Sequence, residues 1–194
     1  MLKSMSAKET KVLQGMLGDY FEHMGKNPHS LLPRFLGMYS FALGKGASAP
    51  KAKNAVHFVV MQSVFAGARE LHRQFDLKGS QYSRTTVCPK GKENLCTFKD
   101  VDFIRSHTAA PKTFVSLSKE KKEQFLEQVE KDASFLRNHG IMDYSLLLGI
   151  STKVPAGEDT SRDAFVSADG KRVYYMGLID ILQTWDNSKK GGKF

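Results

Sequence analysis

Apolar residues at Val12, Leu13, Met16, Leu17, Tyr20, Phe21 and Met24 recur with the spacing of one helix face. Ser6 precedes this stripe and Glu9 stands three residues on, the arrangement of a capping box, so a helix is predicted over 7–24 with Gly25 as its C-cap. Asn27-Pro28 breaks the pattern. Over 34–43 the alternation predicts a strand with Phe35, Tyr39 and Phe41 on one face, and Val56–Met61 predicts a second. The Gly-, Ala- and Lys-rich stretch 44–54 joins them as a solvated hairpin tip. The chain then turns polar at Gln62-Ser63. A short extended segment, Gln74–Leu77, ends at Lys78-Gly79-Ser80, an irregular stretch covers 84–97, and Phe98–Arg105 reads as a short helix. Ser116 or Ser118 opens a long helix whose face carries Phe125, Leu126, Val129, Ala133 and Leu136, and Gly140 terminates it. Tyr144–Ile150 is an apolar run with the signature of a buried strand. A polar loop over 151–164 follows, then two strand-like segments, Phe165–Ser167 and Arg172–Leu182, flanking the hairpin signal Asp169-Gly170. The order of elements predicts an α+β protein with a sheet-rich part and a helical part.

Composition narrows the class. With 41% apolar and 25% charged residues among 194, the chain has the make-up of a globular domain rather than a disordered one. No apolar run approaches the ~18 residues of a membrane span, and the N-terminus shows no secretory signal. The formal charge of +9 is concentrated in the first half. That suits a polyanionic partner such as a nucleotide, anionic headgroups or nucleic acid, or else a merely soluble basic surface. Two cysteines, Cys88 and Cys96, exclude a disulfide framework, and a reducing compartment is the simpler expectation. The six histidines show no metal-ligand spacing and read as surface or cap residues.

Three groups stand out chemically. Asp180 sits in Leu178-Ile179-Asp180-Ile181-Leu182, inside what reads as an apolar strand with no turn residues beside it. A carboxylate there is costly unless it has a partner or a metal. Asp143 lies between a helix terminator and a buried strand, where a capping or turn role competes with a catalytic one. Lys78 stands beside Gly79-Ser80, where a phosphate could approach closely, although a plain strand exit is an equal reading. A base, a Mg²⁺ ligand and a lysine are the parts phosphoryl transfer requires.

These residues fall within a series of segments: Ser30–Tyr39, Val59-Val60-Met61, Phe75–Ser80, Ile141–Leu147 with Gly149-Ile150, and Tyr175–Gln183. In that order they resemble the hallmarks of the phosphatidylinositol phosphate kinases, over roughly residues 3–187. The resemblance implies a kinase-like two-lobe fold. Residues 1–65 would form part of the N-lobe, an antiparallel sheet with one helix, ending in the hinge. Residues 66–187 would form part of the C-lobe, and 188–194 a disordered basic tail. It implies Asp143 and Lys78 as catalytic residues, with Asp143 deprotonating the inositol hydroxyl and Lys78 near the transferring phosphate. Asp180 would hold Mg²⁺, and Gln62, Ser63 and Val64 would meet the adenine of ATP. The partner implied is a phosphatidylinositol monophosphate in an anionic membrane, with a cytoplasmic, peripheral location and no nucleic acid. The protein-kinase string His-Arg-Asp-x-x-x-x-Asn is absent, since Leu148 falls at the Asn position.

Two departures from the family pattern are expected. The glycine-rich phosphate loop and the strand bearing an ATP-binding lysine have no room before the first helix, and no lipid-selecting activation loop follows Asp180. Little or no activity of these 194 residues alone is therefore expected. Glu9 is a candidate acidic partner for the family's lysine, against its capping-box reading. A non-catalytic lipid-binding or scaffold remnant is the alternative, and nucleic-acid binding, suggested by charge alone, comes third.

Overall fold

The computed structural model describes residues 1–42, 55–68, 70–108, 115–154 and 164–184. The expected hairpin tip at 44–54, most of the expected polar loop over 151–164 and the expected basic tail at 188–194 lie outside the described residues.

Among the described residues, three α-helices and two sheets make up a mixed α+β fold. The first sheet holds β1 (Leu2–Met5), β2 (Phe35–Ala42) and β3 (Ala55–Met61) in the order β1-β3-β2, antiparallel throughout. Strand β1 was not expected, because the six residues before the first helix are too few for a phosphate-loop hairpin plus another strand, yet one short strand forms there. Four residues suffice because the edge of β3 supplies a ready partner, pairing Leu2 with Val60 and Met5 with His57. The hairpin β2–β3 forms as the alternation predicts, but a register shift between Phe35 and Gly37 separates its aromatic residues. Phe35 turns inward against Tyr20, with ring centroids 5.2 Å apart, while Tyr39 and Phe41 lie exposed. They do not share the one face that the alternation predicted.

Helix α1 (Ala7–Lys26) carries the capping box: Ser6 accepts from the Glu9 amide and the Glu9 carboxylate accepts from the Ser6 amide. It runs past Gly25 and ends at Asn27, whose amide donates to the His23 carbonyl. The side chain of Asn27 reaches the same carbonyl and so takes over the capping role expected of Gly25. Leu13, Met16 and Tyr20 face the core, whereas Leu17 and Phe21 of the predicted stripe are exposed.

The second sheet holds β4 (Arg73–Leu77), β5 (Thr97–Lys99), β6 (Ser145–Ser151), β7 (Ala164–Val166) and β8 (Val173–Ile179), in the order β5-β4-β6-β8-β7. Only β4–β5 is parallel. Strands β6 and β8 are the buried centre, as their unbroken apolar runs require. Helix α2 (Asp100–Thr108) begins later than the expected 98–105, because Thr97–Lys99 is taken up as β5. Helix α3 (Lys119–Asn138) starts at the Ser118 cap and stops before Gly140, which adopts φ of 64°. Leu126 of its predicted face is exposed, while Gln128 and Asp132 are buried. Among the described residues, no helix is long and apolar enough to cross a membrane.

One apolar cluster joins the two sheets. Leu13 and Met16 of α1 and Val59 of β3 pack together with Leu136, Leu178, Ile181 and Leu182. Two glycines of the central strands receive the segment that links the sheets. A Cβ at Gly177 would lie 2.7 Å from Val64, and one at Gly149 would lie 2.6 Å from Phe65. Glycine is needed there because those side chains lie directly on the backbone.

The structure departs from the sequence reading at two further places. Cys88 and Cys96 form a disulfide, where none was expected. The turn at Glu93–Leu95 folds the intervening stretch back, so the two Cα atoms lie 6.0 Å apart, within bridging reach. His23 is not a surface residue: its side chain is 11% exposed and lies against Asp132. A carboxylate buried on the neighbouring helix draws it in.

Candidate active site

Sheet register brings the three singled-out groups to one end of the second sheet. Leu77 pairs with Leu146, and Ser145 with Ile179. Lys78 therefore follows the end of β4, Asp143 lies just before β6, and Asp180 follows the end of β8, on three neighbouring strands. The segments of the two aspartates continue side by side. The Met142 amide donates to the Gln183 carbonyl, and Ile141 bridges to Thr184.

Asp180 is not inside a strand, as its apolar neighbours suggested. Strand β8 stops at Ile179, and Asp180 turns the chain with φ of 61°. Asp143 adopts φ of 64°. Together with Ser83 they are the non-glycine residues at positive φ among the described ones. Aspartate tolerates this region better than most residues, and such strain gathers at functional sites. The turns leave both carboxylates open to solvent, at 43% exposure for Asp143 and 35% for Asp180.

Each carboxylate meets a lysine. Lys78 Nζ donates to Asp143 Oδ1 at 2.9 Å and to its main-chain oxygen at 2.5 Å. Lys3 Nζ, from β1 of the other sheet, donates to Asp180 Oδ1 at 2.7 Å. Sequence reasoning missed Lys3, because β1 was not recognised. Leu2-Lys3-Ser4-Met5 does not alternate apolar with polar residues, so local pattern offered no signal for it. Glu9, the other candidate partner for such a lysine, is engaged in the capping box.

The main chain at Lys78 is held from below. Asp100, the first residue of α2, accepts the Lys78 amide at 3.0 Å and the Gly79 amide at 2.8 Å on Oδ1. Its Oδ2 accepts Arg84 Nε at 2.7 Å. Arg84 also donates to the carbonyl of Asp76 and, at 2.8 Å, to its carboxylate. Burial pushes the Asp100 carboxyl upward, but the hydrogen bonds from Arg84 and Gly79 and the nearby positive charge outweigh it. Its pKa falls below the ordinary carboxylate value. Burial likewise acts to lower the pKa of Arg84, and its two carboxylate partners reverse that, leaving it raised. Gly79 adopts φ of 74°, so the turn that carries Lys78 requires glycine.

Gln62, Ser63 and Val64 follow β3 and are already engaged within the chain. The Gln62 amide donates to the Arg34 carbonyl, the Ser63 carbonyl accepts from Ala66, and Val64 lies on Gly177. Among the described residues, no group of three or more His, Cys, Asp or Glu side chains forms a ready metal cage.

A family model described as Phosphatidylinositol-4-phosphate 5-Kinase matches residues 1–166. Phosphatidylinositol 4-phosphate 5-kinase 5 of Arabidopsis thaliana is 39% identical over 192 residues, covering 94% of this chain and 23% of that protein. A probable phosphatidylinositol phosphate kinase of Dictyostelium discoideum is 37% identical over 149 residues, 77% of this chain and 19% of its own length. Phosphatidylinositol 5-phosphate 4-kinase type-2 gamma of Homo sapiens is 29% identical over 247 residues, 97% of this chain and 56% of that protein. The chain thus spans less than a quarter of the first two relatives.

Proposed function

Because the chain belongs to the phosphatidylinositol phosphate kinase family, we propose that it supplies the phosphoryl-transfer site of a lipid kinase. That enzyme would move the γ-phosphoryl group of ATP to a hydroxyl of a phosphatidylinositol monophosphate. The observation that carries this reading is the gathering of Asp143, Asp180, Lys78 and Lys3 at one open sheet end.

Asp143 is the base. Its carboxylate takes the proton of the inositol hydroxyl as that oxygen bonds to the γ-phosphorus and the bond to the β–γ bridging oxygen breaks. Lys78 orients this carboxylate and adds positive charge where the phosphoryl group crosses. Lys3 takes the part of the strand-borne lysine that the resemblance placed outside the chain, exchanging its contact with Asp180 for the ATP phosphates.

Asp180 would hold magnesium. Its donor set fits: a half-exposed carboxylate offers the hard oxygen Mg²⁺ prefers, and that ion is usually held by one or two carboxylates with the substrate phosphates. When bound, the ion neutralises phosphate charge. In this reading residues 1–65 and 66–187 are the two kinase lobes, with the nucleotide between them and its adenine beside the main chain of Gln62, Ser63 and Val64. The basic surface faces an anionic membrane at its cytoplasmic side.

The test is ATP binding with and without Mg²⁺, together with phosphoryl transfer to liposomes containing a phosphatidylinositol monophosphate, for wild type and Asp180→Asn within a complete kinase. Asp180→Asn should abolish the Mg²⁺-dependent part while its circular dichroism stays unchanged. Retained Mg²⁺-dependent turnover would refute the assignment.

A further inference from the structure

The segment Ser30-Leu31-Leu32 is singled out in the sequence but has no chemical task in the reading above. All three residues are buried, with exposures of 0%, 2% and 0%. The reason lies on α3. Asp132, itself 0% exposed, accepts Ser30 Oγ at 2.8 Å on Oδ1 and the Leu31 amide at 2.7 Å on Oδ2. Oδ1 also takes His23 Nε2 at 2.7 Å from α1 and Gln128 Nε2 at 3.0 Å. Four donors saturate the carboxylate, which is how a buried one is tolerated. His23 donates through Nε2, while Nδ1 turns to Asn27 Nδ2 at 3.4 Å.

The far side of Leu31 reaches the candidate site. Its carbonyl accepts the Leu178 amide at 2.8 Å. Among the described residues, strand β7 pairs with β8 as far as Tyr175, and three residues further along β8 Leu31 is its neighbour at Leu178. Two residues after Leu178 comes Asp180, whose carboxylate must meet Lys3, carried on the strand that leads into α1.

We infer, resting on the reading of Asp180 as the metal carboxylate, that Asp132 is a positioning residue. Through Ser30 and the main chain of Leu31 it fixes the end of β8, and so sets where Asp180 stands relative to Lys3. Its own side chain touches neither substrate nor metal. One buried carboxylate thus locks α1, α3 and the metal-bearing turn to a common frame.

The test uses Mn²⁺ with a non-hydrolysable ATP analogue as a paramagnetic probe, titrated against the 194-residue chain by water-proton relaxation. Amide hydrogen exchange is measured on the metal-free protein in parallel. Asp132→Asn leaves one accepting oxygen where two serve four donors, so an NH₂ group opposes either the Leu31 N–H or the Ser30, His23 and Gln128 donors. It should weaken Mn²⁺ affinity about tenfold, the usual size for loss of a supporting contact at a metal site. Exchange at Leu178 should accelerate more than exchange at Leu147 and Leu148 of β6. Ser30→Ala removes one donor of the four and tolerates folding better. It should give the same pattern at about threefold, and it carries the test if Asp132→Asn does not fold.

Folded variants with wild-type Mn²⁺ affinity would overturn the inference. So would Leu178 exchange that rises only in step with β6, since that is what general destabilisation produces. Wild type that binds no Mn²⁺–nucleotide would overturn the metal reading of Asp180 and this inference with it. Normal wild-type binding with unaffected variants would overturn the inference alone.

Discussion

Replacing Arg84 with Met keeps the aliphatic stem and removes the charge that ties the Lys78 turn together. Arg84 is 12% exposed and Asp100 8%, so the perturbation acts in a nearly dry site. Asp100 keeps the Lys78 and Gly79 amides but loses the ion pair with Arg84, while Asp76 is 22% exposed and can turn toward water. Breaking a buried pair costs about 3–5 kcal/mol, and the surviving amide bonds bring the expectation to about 2–4 kcal/mol. For a chain of this size that is a fall of roughly 5–15 °C in Tm. Arg84→Lys should recover only part, because an ammonium cannot bridge Asp100 and Asp76 as the guanidinium fork does. The pH dependence supplies a sign. The folded pKa of Asp100 is depressed, so its contribution is complete above the ordinary carboxylate value of about 3.9 and is lost as pH falls through the folded value. The deficit of Arg84→Met should therefore be largest near neutrality and shrink in acid. Urea denaturation from pH 7 down to 3 measures it. A deficit below about 1 kcal/mol at pH 7, or one that stays constant into acid, would refute the buried-pair reasoning.

Three further outcomes are expected. Lys3→Met should change stability by less than about 1 kcal/mol, because the pair with Asp180 is half-exposed, yet lower turnover of a complete kinase by about 10²–10³; equal losses in both would show a purely structural lysine. Gly177→Ala drives a methyl to 2.7 Å from Val64, a stiff β-branched side chain, and should cost about 1–3 kcal/mol in thermal denaturation; an unchanged Tm would mean the linking segment moves freely. Asp143→Gly relieves a left-handed backbone while losing a half-exposed ion pair, so stability by urea titration should stay within about 1 kcal/mol while phosphoryl transfer disappears; marked unfolding would show that the aspartate serves the turn.

What was legible in the sequence was what local pattern dictates. The capping box fixed the start of α1, Gly140 ended α3, and unbroken apolar runs marked β6 and β8. Asp143 and Lys78 stood out because each adjoins a terminator or a glycine, and the register of three strands brings them together with Asp180. What stayed hidden depends on distant partners. Strand β1 is too short to announce itself and exists because β3 offers an edge. Asp132 sits on a helix rich in charged residues, and nothing nearby in sequence shows that His23 and Ser30, more than 100 positions away, will surround it. The cysteine pair was judged by its number, whereas the fold of the stretch between them decided the outcome. The inward turn of Phe35 accompanies the register shift between Phe35 and Gly37, which alternation alone does not encode.

The two lysine–aspartate contacts differ in what holds them, and the difference bears on how such a site could work. Lys78 and Asp143 flank strands β4 and β6, which pair directly, so sheet register sets their separation. Lys3 lies in the first sheet and Asp180 follows the end of β8 in the second, and among the described residues no strand pairing connects the two sheets. Their meeting depends on the shared apolar cluster, on Val64 seated against Gly177, and on Asp132 holding Leu31 against Leu178. A small shift of one sheet against the other would part Lys3 from Asp180 and leave Lys78 with Asp143 intact. In the proposed kinase, base orientation is therefore built into one sheet, whereas nucleotide and metal capture depends on how the two sheets are joined. Substitutions at the junction should act on metal and nucleotide affinity before they disturb the base.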